Sequence, residues 1–377
     1  MQRPFPRIDR RPEAFRRSLP ALPLPEGLIQ SHLLLAALLS ITMKRPSRAG
    51  APCQPKRRMT DSFHEIPENP TPRQATVGFF NARDGKKIRY ARFAATGRPL
   101  KGTVVILPGR NECIEKYFET IRDLSSRGLG SALIDWRGQG DSARLIRDPQ
   151  RGYVKSFSDY AADLEQFFEE VVLPDCRGPY YILAHSSGAL IALLSSPSMV
   201  NRVRRMVLIA PFLALPGQRM SMKAIHRLTT LLGLFGLGRL YAAWGPRPKG
   251  GTPFEINKLT TDAARYRRNV HLYDTFPQLA LGGPTIRWLR AASEAAQKVS
   301  RPEFMAAIKV PMLVVAAGAD RVVSTRAVEA YARHLRLGSL LTIDGAAHEI
   351  LQEADLYREQ FLAAFDAFIP GIDDGTL

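Results

Sequence analysis

Apolar and polar positions change period repeatedly between residues 75 and 370, and that alternation predicts the architecture. Val77 to Asn81 and Ile88 to Phe93 are short β-type runs facing each other across Asp84-Gly85, a turn signal, so they read as a hairpin. Beyond them, strands and helices take turns. Thr103 to Leu107 is a strand, Ile114 to Ser126 a helix and Gly130 to Asp135 a strand. The helix expected over Phe157 to Val172 carries Tyr160, Leu164, Phe167, Phe168 and Val171 at helical spacing, which assigns them to the core. Tyr180 to Ala184, Arg205 to Ala210, a run starting near Pro311 and Leu340 to Asp344 are further strands. Helices are expected over Thr325 to Leu337 and Gln352 to Phe368. Such alternation predicts a mostly parallel sheet covered by helices on both faces, with a ligand crevice at the C-terminal ends of the strands. No internal repeat is visible.

One connection breaks the rhythm. Roughly 90 residues separate the strand ending at Ala210 from the one near Pro311, too many for a link between core elements. Residues 212–300 are therefore expected to form an inserted helical cap, dividing the core into 59–211 and 301–377. Within the insertion, Leu228 to Gly238 is apolar and is followed by Tyr241 and Trp244, with Arg227, Arg239, Arg247 and Lys249 around it. Apolar residues beside a basic rim suit a lid that meets an anionic lipid surface. The alternative is a cap whose apolar face packs inward while its arginines are solvated. The segment is too short to span a bilayer.

The charge follows the same division. The formal net charge of the 377 residues is +18. Residues 1–58 hold 12 Lys/Arg against 3 Asp/Glu, and residues 212–300 hold 13 against 4. Each segment contributes +9, so the body of the fold is neutral and a nucleic-acid-binding surface on it is not expected. Cys53, Cys113 and Cys176 are few, odd in number and scattered, which favours a reducing compartment over a disulfide framework. The seven histidines include no pair at metal-ligand spacing, so neither metal nor cofactor is expected. Residues 1–58 combine arginine pairs, a proline-rich stretch and a brief apolar run, and read as a disordered or spurious extension, with a secretory signal or an amphipathic membrane anchor as the alternatives and Met43 and Met59 as alternative starts. The expected location is the cytoplasm, with peripheral contact at the inner face of the membrane. Nothing in the sequence sets the oligomeric state.

Candidate chemistry sits at the strand ends. Ala184-His185-Ser186-Ser187-Gly188 joins an apolar strand to an apolar helix, and a serine on such a sharp turn is a nucleophile elbow. The turn demands small residues two before and two after the serine. Ala184 and Gly188 meet that demand around Ser186, whereas Ser187 would place bulky His185 at the first of them. Downstream, Asp320 ends one strand and His348 follows the next, in the order Ser, Asp, His that this architecture uses. Ser186 is then the nucleophile, His348 the base and Asp320 the group that orients it. Asp344 is a rival acid. The developing oxyanion needs two backbone donors, expected from Ser187 and from Arg110 in the loop after Thr103 to Leu107. The Arg110 side chain is either a substrate contact or a solvated loop residue.

These segments resemble a known family. Pro108-Gly109-Arg110-Asn111-Glu112 with Lys116-Tyr117 is similar to the His-Gly-x-x-Glu…Arg-Tyr loop of monoacylglycerol lipases and bacterial lysophospholipases. Asp135-Trp136-Arg137-Gly138-Gln139-Gly140-Asp141-Ser142 resembles their Asp-x-x-Gly-His-Gly-x-Ser segment, and the elbow resembles their Gly-His-Ser-Met-Gly. The resemblance spans residues 75 to 370 and implies the α/β-hydrolase fold. Pro108 and Gln139 replace two histidines of the family pattern. The implied activity is hydrolysis of the ester of a single-chain lipid, a lysophospholipid or monoacylglycerol. The alternative is a small-ester carboxylesterase or an aminopeptidase-like amidase, since serine aminopeptidase-like members share the motifs. An amidase would need an acidic pocket for a free amine, for which the insertion offers Glu255, Asp262, Asp274 and Glu294.

Overall fold

The Asp84-Gly85 signal produces its turn: Gly85 takes φ 75°, a left-handed conformation that glycine adopts without penalty. On either side, β1 (Ala75–Asn81) and β2 (Lys87–Phe93) pair antiparallel, with Asn81 opposite Lys87. The computed structural model describes residues 62–369 except Arg219 and Trp244. The expectations for residues 1–58, for the alternative starts, for Cys53 and for Trp244 lie outside the described residues.

The remaining strands are β3 (Gly102–Leu107), β4 (Leu129–Ile134), β5 (Tyr180–His185), β6 (Arg205–Ile209), β7 (Met312–Ala317) and β8 (Gly338–Ile343). Together the eight form one sheet in the order β1-β2-β4-β3-β5-β6-β7-β8. Only the pairings of β2, with β1 and β4, are antiparallel; every pairing from β4 to β8 is parallel. β3, β5, β6 and β7 are apolar almost throughout because both of their faces are covered. The main helices are α1 (Phe118–Ser126), α2 (Phe157–Phe167), α3 (Ser187–Ser195), α4 (Met222–Leu234), α5 (Ala263–Thr275), α6 (Ile286–Val299), α7 (Thr325–Arg333) and α8 (Asp355–Phe368).

Four helices depart from the sequence pattern, one of them simply by ending early, since α7 stops at Arg333 and not at Leu337. The helix expected from Ile114 begins as a 3-10 turn over Ile114–Tyr117 before α1. The helix expected over Phe157 to Val172 starts where the pattern places it, because the Ser156 hydroxyl caps α2 by accepting from the Ser158 N–H at 3.1 Å. Past α2 the chain widens into a π turn over Phe168–Val172. That wider turn shifts the helical phase, so Phe167 and Phe168, and then Val171 and Val172, are all buried. The helix expected from Gln352 is delayed: α8 starts at Asp355, after a 3-10 turn over Ile350–Gln352.

Between β6 and β7 lie α4, α5 and α6. α4 packs against α6. Trp288, Ala292 and Ala296 of α6 belong to the main core, and the Trp288 ring meets Phe157 of α2 at 5.6 Å and Phe212 at 5.9 Å. The last helix of the 212–300 segment is thus anchored in the body of the fold, while α4 leaves Leu231 and Leu234 exposed.

Candidate active site

Strand order brings the site together. β4 lies on one side of β3 and β5 on the other, so the loop after β3 and the turn after β5 are neighbours at the C-terminal edge. Leu107 pairs with Ala184, which places Pro108 and Gly109 level with His185 and Ser186. β7 and β8 end level as well, Ala317 opposite Ile343, with Asp320 and His348 in the loops that follow.

Ser186 sits at φ 52°, ψ −114°, a strained backbone for a residue with a side chain. Its N–H donates to the Ile209 carbonyl at 2.9 Å, and its carbonyl accepts from the Phe212 and Leu190 N–H groups. The small neighbours have different reasons. A Cβ on Gly188 would lie 2.2 Å from the Leu107 carbonyl oxygen and 2.5 Å from that of Pro108. Ala184 is fully buried, and its methyl is accommodated within the core. The Ser186 hydroxyl lies 2.9 Å from His348 Nε2, and His348 Nδ1 lies 2.7 Å from Asp320 Oδ2. The other oxygen of Asp320 accepts from the Val322 and Val323 N–H groups at 2.7 and 2.9 Å, which fixes the carboxylate. All three side chains are buried or nearly so. His348 thus takes Asp320, not Asp344, as its carboxylate partner.

The loop after β3 is held from several sides. Trp136 Nε1 donates to the Pro108 carbonyl at 2.8 Å, and the Asn111 N–H donates to Gln139 Oε1 at 2.6 Å. Asn111, at φ 60°, also accepts from the Leu281 N–H and the Tyr273 hydroxyl. Gln139, one of the departures from the family pattern, therefore latches the loop by an acceptor oxygen. Neither the Arg110 nor the Ser187 backbone N–H donates to a described residue.

Beneath the serine lies a network that sequence reasoning missed. Glu112 Oε2 accepts from the Tyr117 hydroxyl at 2.6 Å, from the Gly109 N–H and from His185 Nδ1 at 3.2 Å. Its other oxygen meets Lys116 Nζ at 2.9 Å, and Lys116 also reaches Glu349 at 2.6 Å. Burial would raise the Glu112 carboxyl, but Lys116 and His185 outweigh it and hold the group well below the usual range. Burial would likewise lower Lys116 and His185, and the facing carboxylates raise both instead. The available signal was the i,i+4 spacing of Glu112 and Lys116; nothing local pointed to His185 or Glu349.

The other candidates are placed as follows. Burial pushes the Cys113 thiol well up, which suits an inert core residue. Asp262 caps α5 and pairs with Arg265, Asp274 pairs with Arg247, and Glu255 and Glu294 are exposed. These four carboxylates do not converge on a free acidic pocket. Among the described residues, no group of His, Cys, Asp and Glu is arranged to hold a metal ion.

A sheet of this order, with a serine on a strained strand-to-helix turn, defines an α/β-hydrolase. Comparison with known proteins narrows the class. The family described as "Serine aminopeptidase, S33" matches residues 98–355. Lysophospholipase L2 of Escherichia coli K12 is 35% identical over 303 residues, covering 78% of this chain and 88% of that protein. The probable lysophospholipase L2 of Haemophilus influenzae is 26% identical over 78% of this chain and 92% of its own length. A soluble variant of monoglyceride lipase from Saccharomyces cerevisiae, solved with a substrate analog, superposes with a TM-score of 0.62 at 20% identity. That match covers 78% of this chain and 96% of the other, and it is a likeness of fold. The chain belongs to the serine aminopeptidase S33 family of α/β-hydrolases, in its lysophospholipase and monoglyceride-lipase-like branch. It is an enzyme, a serine ester hydrolase.

Proposed function

We propose that the enzyme cleaves the carboxylic ester of a single-chain lipid, a lysophospholipid or monoacylglycerol, through an acyl-enzyme on Ser186. The observation that carries this reading is the hydrogen-bonded line from Ser186 through His348 to Asp320. His348 takes the hydroxyl proton as Oγ attacks the ester carbonyl, then gives it to the departing alcohol. Asp320 holds the ring so that Nε2 faces the serine and stabilises the imidazolium. The Arg110 and Ser187 N–H groups, which have no partner among the described residues, are the proposed oxyanion donors. Water then enters by the same path in reverse and releases the fatty acid.

The choice of lipid rests on the relatives named lysophospholipase L2 and on the surface of the 212–300 segment, which we assign as the cap. Leu231, Leu234 and Phe235 are 53, 79 and 73% exposed at the end of α4. Beside them a cavity of about 340 Å³ is lined by Arg239, Arg287 and Arg290. An apolar tip with a cationic flank suits peripheral contact with an anionic membrane. Among the described residues no helix is long and apolar enough to cross a membrane.

The test is fatty-acid release from a long-chain lysophospholipid, a monoacylglycerol, a short-chain ester and an aminoacyl amide, with Ser186→Ala as the blank. The expected result is preference for a lipid ester, no turnover by the variant, and stimulation by phosphatidylglycerol vesicles. Preference for the short ester or the amide would overturn the lipid reading and leave the serine chemistry standing.

A further inference from the structure

Arg110 carries a charge for which the described residues supply no counterion. The other buried cations near the site are matched: Lys116 meets Glu112 and Glu349, Arg89 meets Glu115 and Asp135, and Arg137 meets Asp163 and Asp84. Arg110 has no carboxylate within salt-bridge distance among the described residues. Its Nη1 donates to the Gly282 carbonyl at 2.8 Å, and its guanidinium carbon lies 5.9 Å from the centre of the Trp288 ring. No other side-chain N–H of Arg110 hydrogen-bonds a described residue, and the residue as a whole is only partly buried. Burial lowers the guanidinium to about 10, against a smaller opposing effect of Tyr160, so it stays charged at neutral pH. A half-buried, unmatched cation is costly, and a ligand anion would offset that cost.

Position says which anion. The backbone N–H of the same residue is a proposed oxyanion donor, so the guanidinium is tethered one side chain away from the reacting carbonyl. Trp288, under the guanidinium, contacts Phe212, and the Phe212 N–H donates to the Ser186 carbonyl at 3.1 Å. Trp288 and Phe212 thus link the cation to the turn that carries the serine. In a single-chain phospholipid the phosphate is separated from the ester carbonyl by the three-carbon glycerol and its oxygens. An arginine side chain, with three methylenes before its guanidinium, spans a comparable length. With Nη1 on the Gly282 carbonyl and the Trp288 ring 5.9 Å away, Nε and Nη2 form the edge left for a bidentate bond to phosphate.

We propose that the Arg110 guanidinium binds the phosphodiester of a single-chain phospholipid and makes the enzyme selective for phosphate-bearing over neutral lipid esters. This rests on the lipid-ester reading above. Its test is the ratio of kcat/KM for a lysophospholipid to kcat/KM for a monoacylglycerol of the same acyl chain. Both substrates are short-chain and monomeric, so that binding to a lipid surface plays no part. In Arg110→Met, which keeps the apolar stem, the ratio falls about 10- to 100-fold, the value of hydrogen bonds to a charged group. Arg110→Lys retains part of the ratio. Glycerophosphoglycerol, the deacylated headgroup, inhibits the wild type competitively and Arg110→Met much more weakly.

A loss equal for both substrates would overturn the proposal, because it would mean that Arg110 acts by holding Gly282 and its own loop. An unchanged ratio would overturn it as well, with lipid hydrolysis intact. Failure of the wild type to cleave either lipid would instead remove the lipid-ester reading, and this proposal with it.

Discussion

His185 Nε2 lies 3.1 Å from the backbone carbonyl oxygen of His348, so the residue before the serine ties down the histidine that reaches that serine. The other nitrogen of His185 faces Glu112 at 3.2 Å. Both partners accept hydrogen bonds and neither donates, which requires N–H on both ring nitrogens. The imidazolium form of His185 is favoured by Glu112 against the opposing effect of burial, and it joins Lys116 beside the carboxylates of Glu112 and Glu349. Through this set the loop after β3, the elbow and the His348 loop share one electrostatic unit.

The charge on His185 gives a signed pH dependence. Its folded pKa is raised above the ordinary histidine value by Glu112, so its contribution to stability is full below about 6.5 and is lost as pH rises through the higher folded value. His185→Gln should cost about 3 kcal/mol at pH 6, with the difference shrinking towards pH 9. Denaturant titrations of both proteins across that range measure it. A difference independent of pH would contradict the imidazolium.

Lys116 is the only cation within salt-bridge distance of Glu349 among the described residues. Lys116→Met should destabilise by about 3–5 kcal/mol, because it leaves buried carboxylates short of a counterion. Equilibrium unfolding at pH 7 is the measurement, and a loss below about 1 kcal/mol would mean that water already reaches the cluster.

Asp320→Asn should lower kcat by about 10⁴-fold while the protein remains folded, since the amide no longer favours the ring form with its acceptor nitrogen towards Ser186. Burst and steady-state kinetics with a chromogenic ester, alongside a thermal melt, separate this effect from unfolding.

The two small positions of the elbow should respond unequally. Gly188→Ala forces a methyl against two backbone carbonyl oxygens, neither of which can rotate away, and should cost about 3 kcal/mol together with most of the activity. Ala184→Gly removes one methyl from a strand and should cost about 1 kcal/mol. Unfolding free energies of the two variants give the comparison.

Much of this protein could be read along the chain. Periodicity marked the strands because an apolar run long enough for a strand, bounded by turn residues, has few other uses. Ser186 was legible because the elbow constrains its neighbours locally, and Asp320 and His348 because each follows a strand by a short loop. Contacts between distant segments were not legible. Which acid meets His348 depends on loop geometry that places Asp320 at Nδ1, and local sequence offered Asp344 as well. Glu349 joins Lys116 across 233 positions of sequence, and His185 joins Glu112 across 73, distances at which no local period operates. Arg110 is the sharpest case. The sequence by itself determined the fold class and the three residues in line at the strand ends, because those follow from local backbone preference and strand order. Only the tertiary structure decided that the Arg110 cation stands over Trp288 without a carboxylate among the described residues, because a counterion's presence depends on everything that packs around the cation.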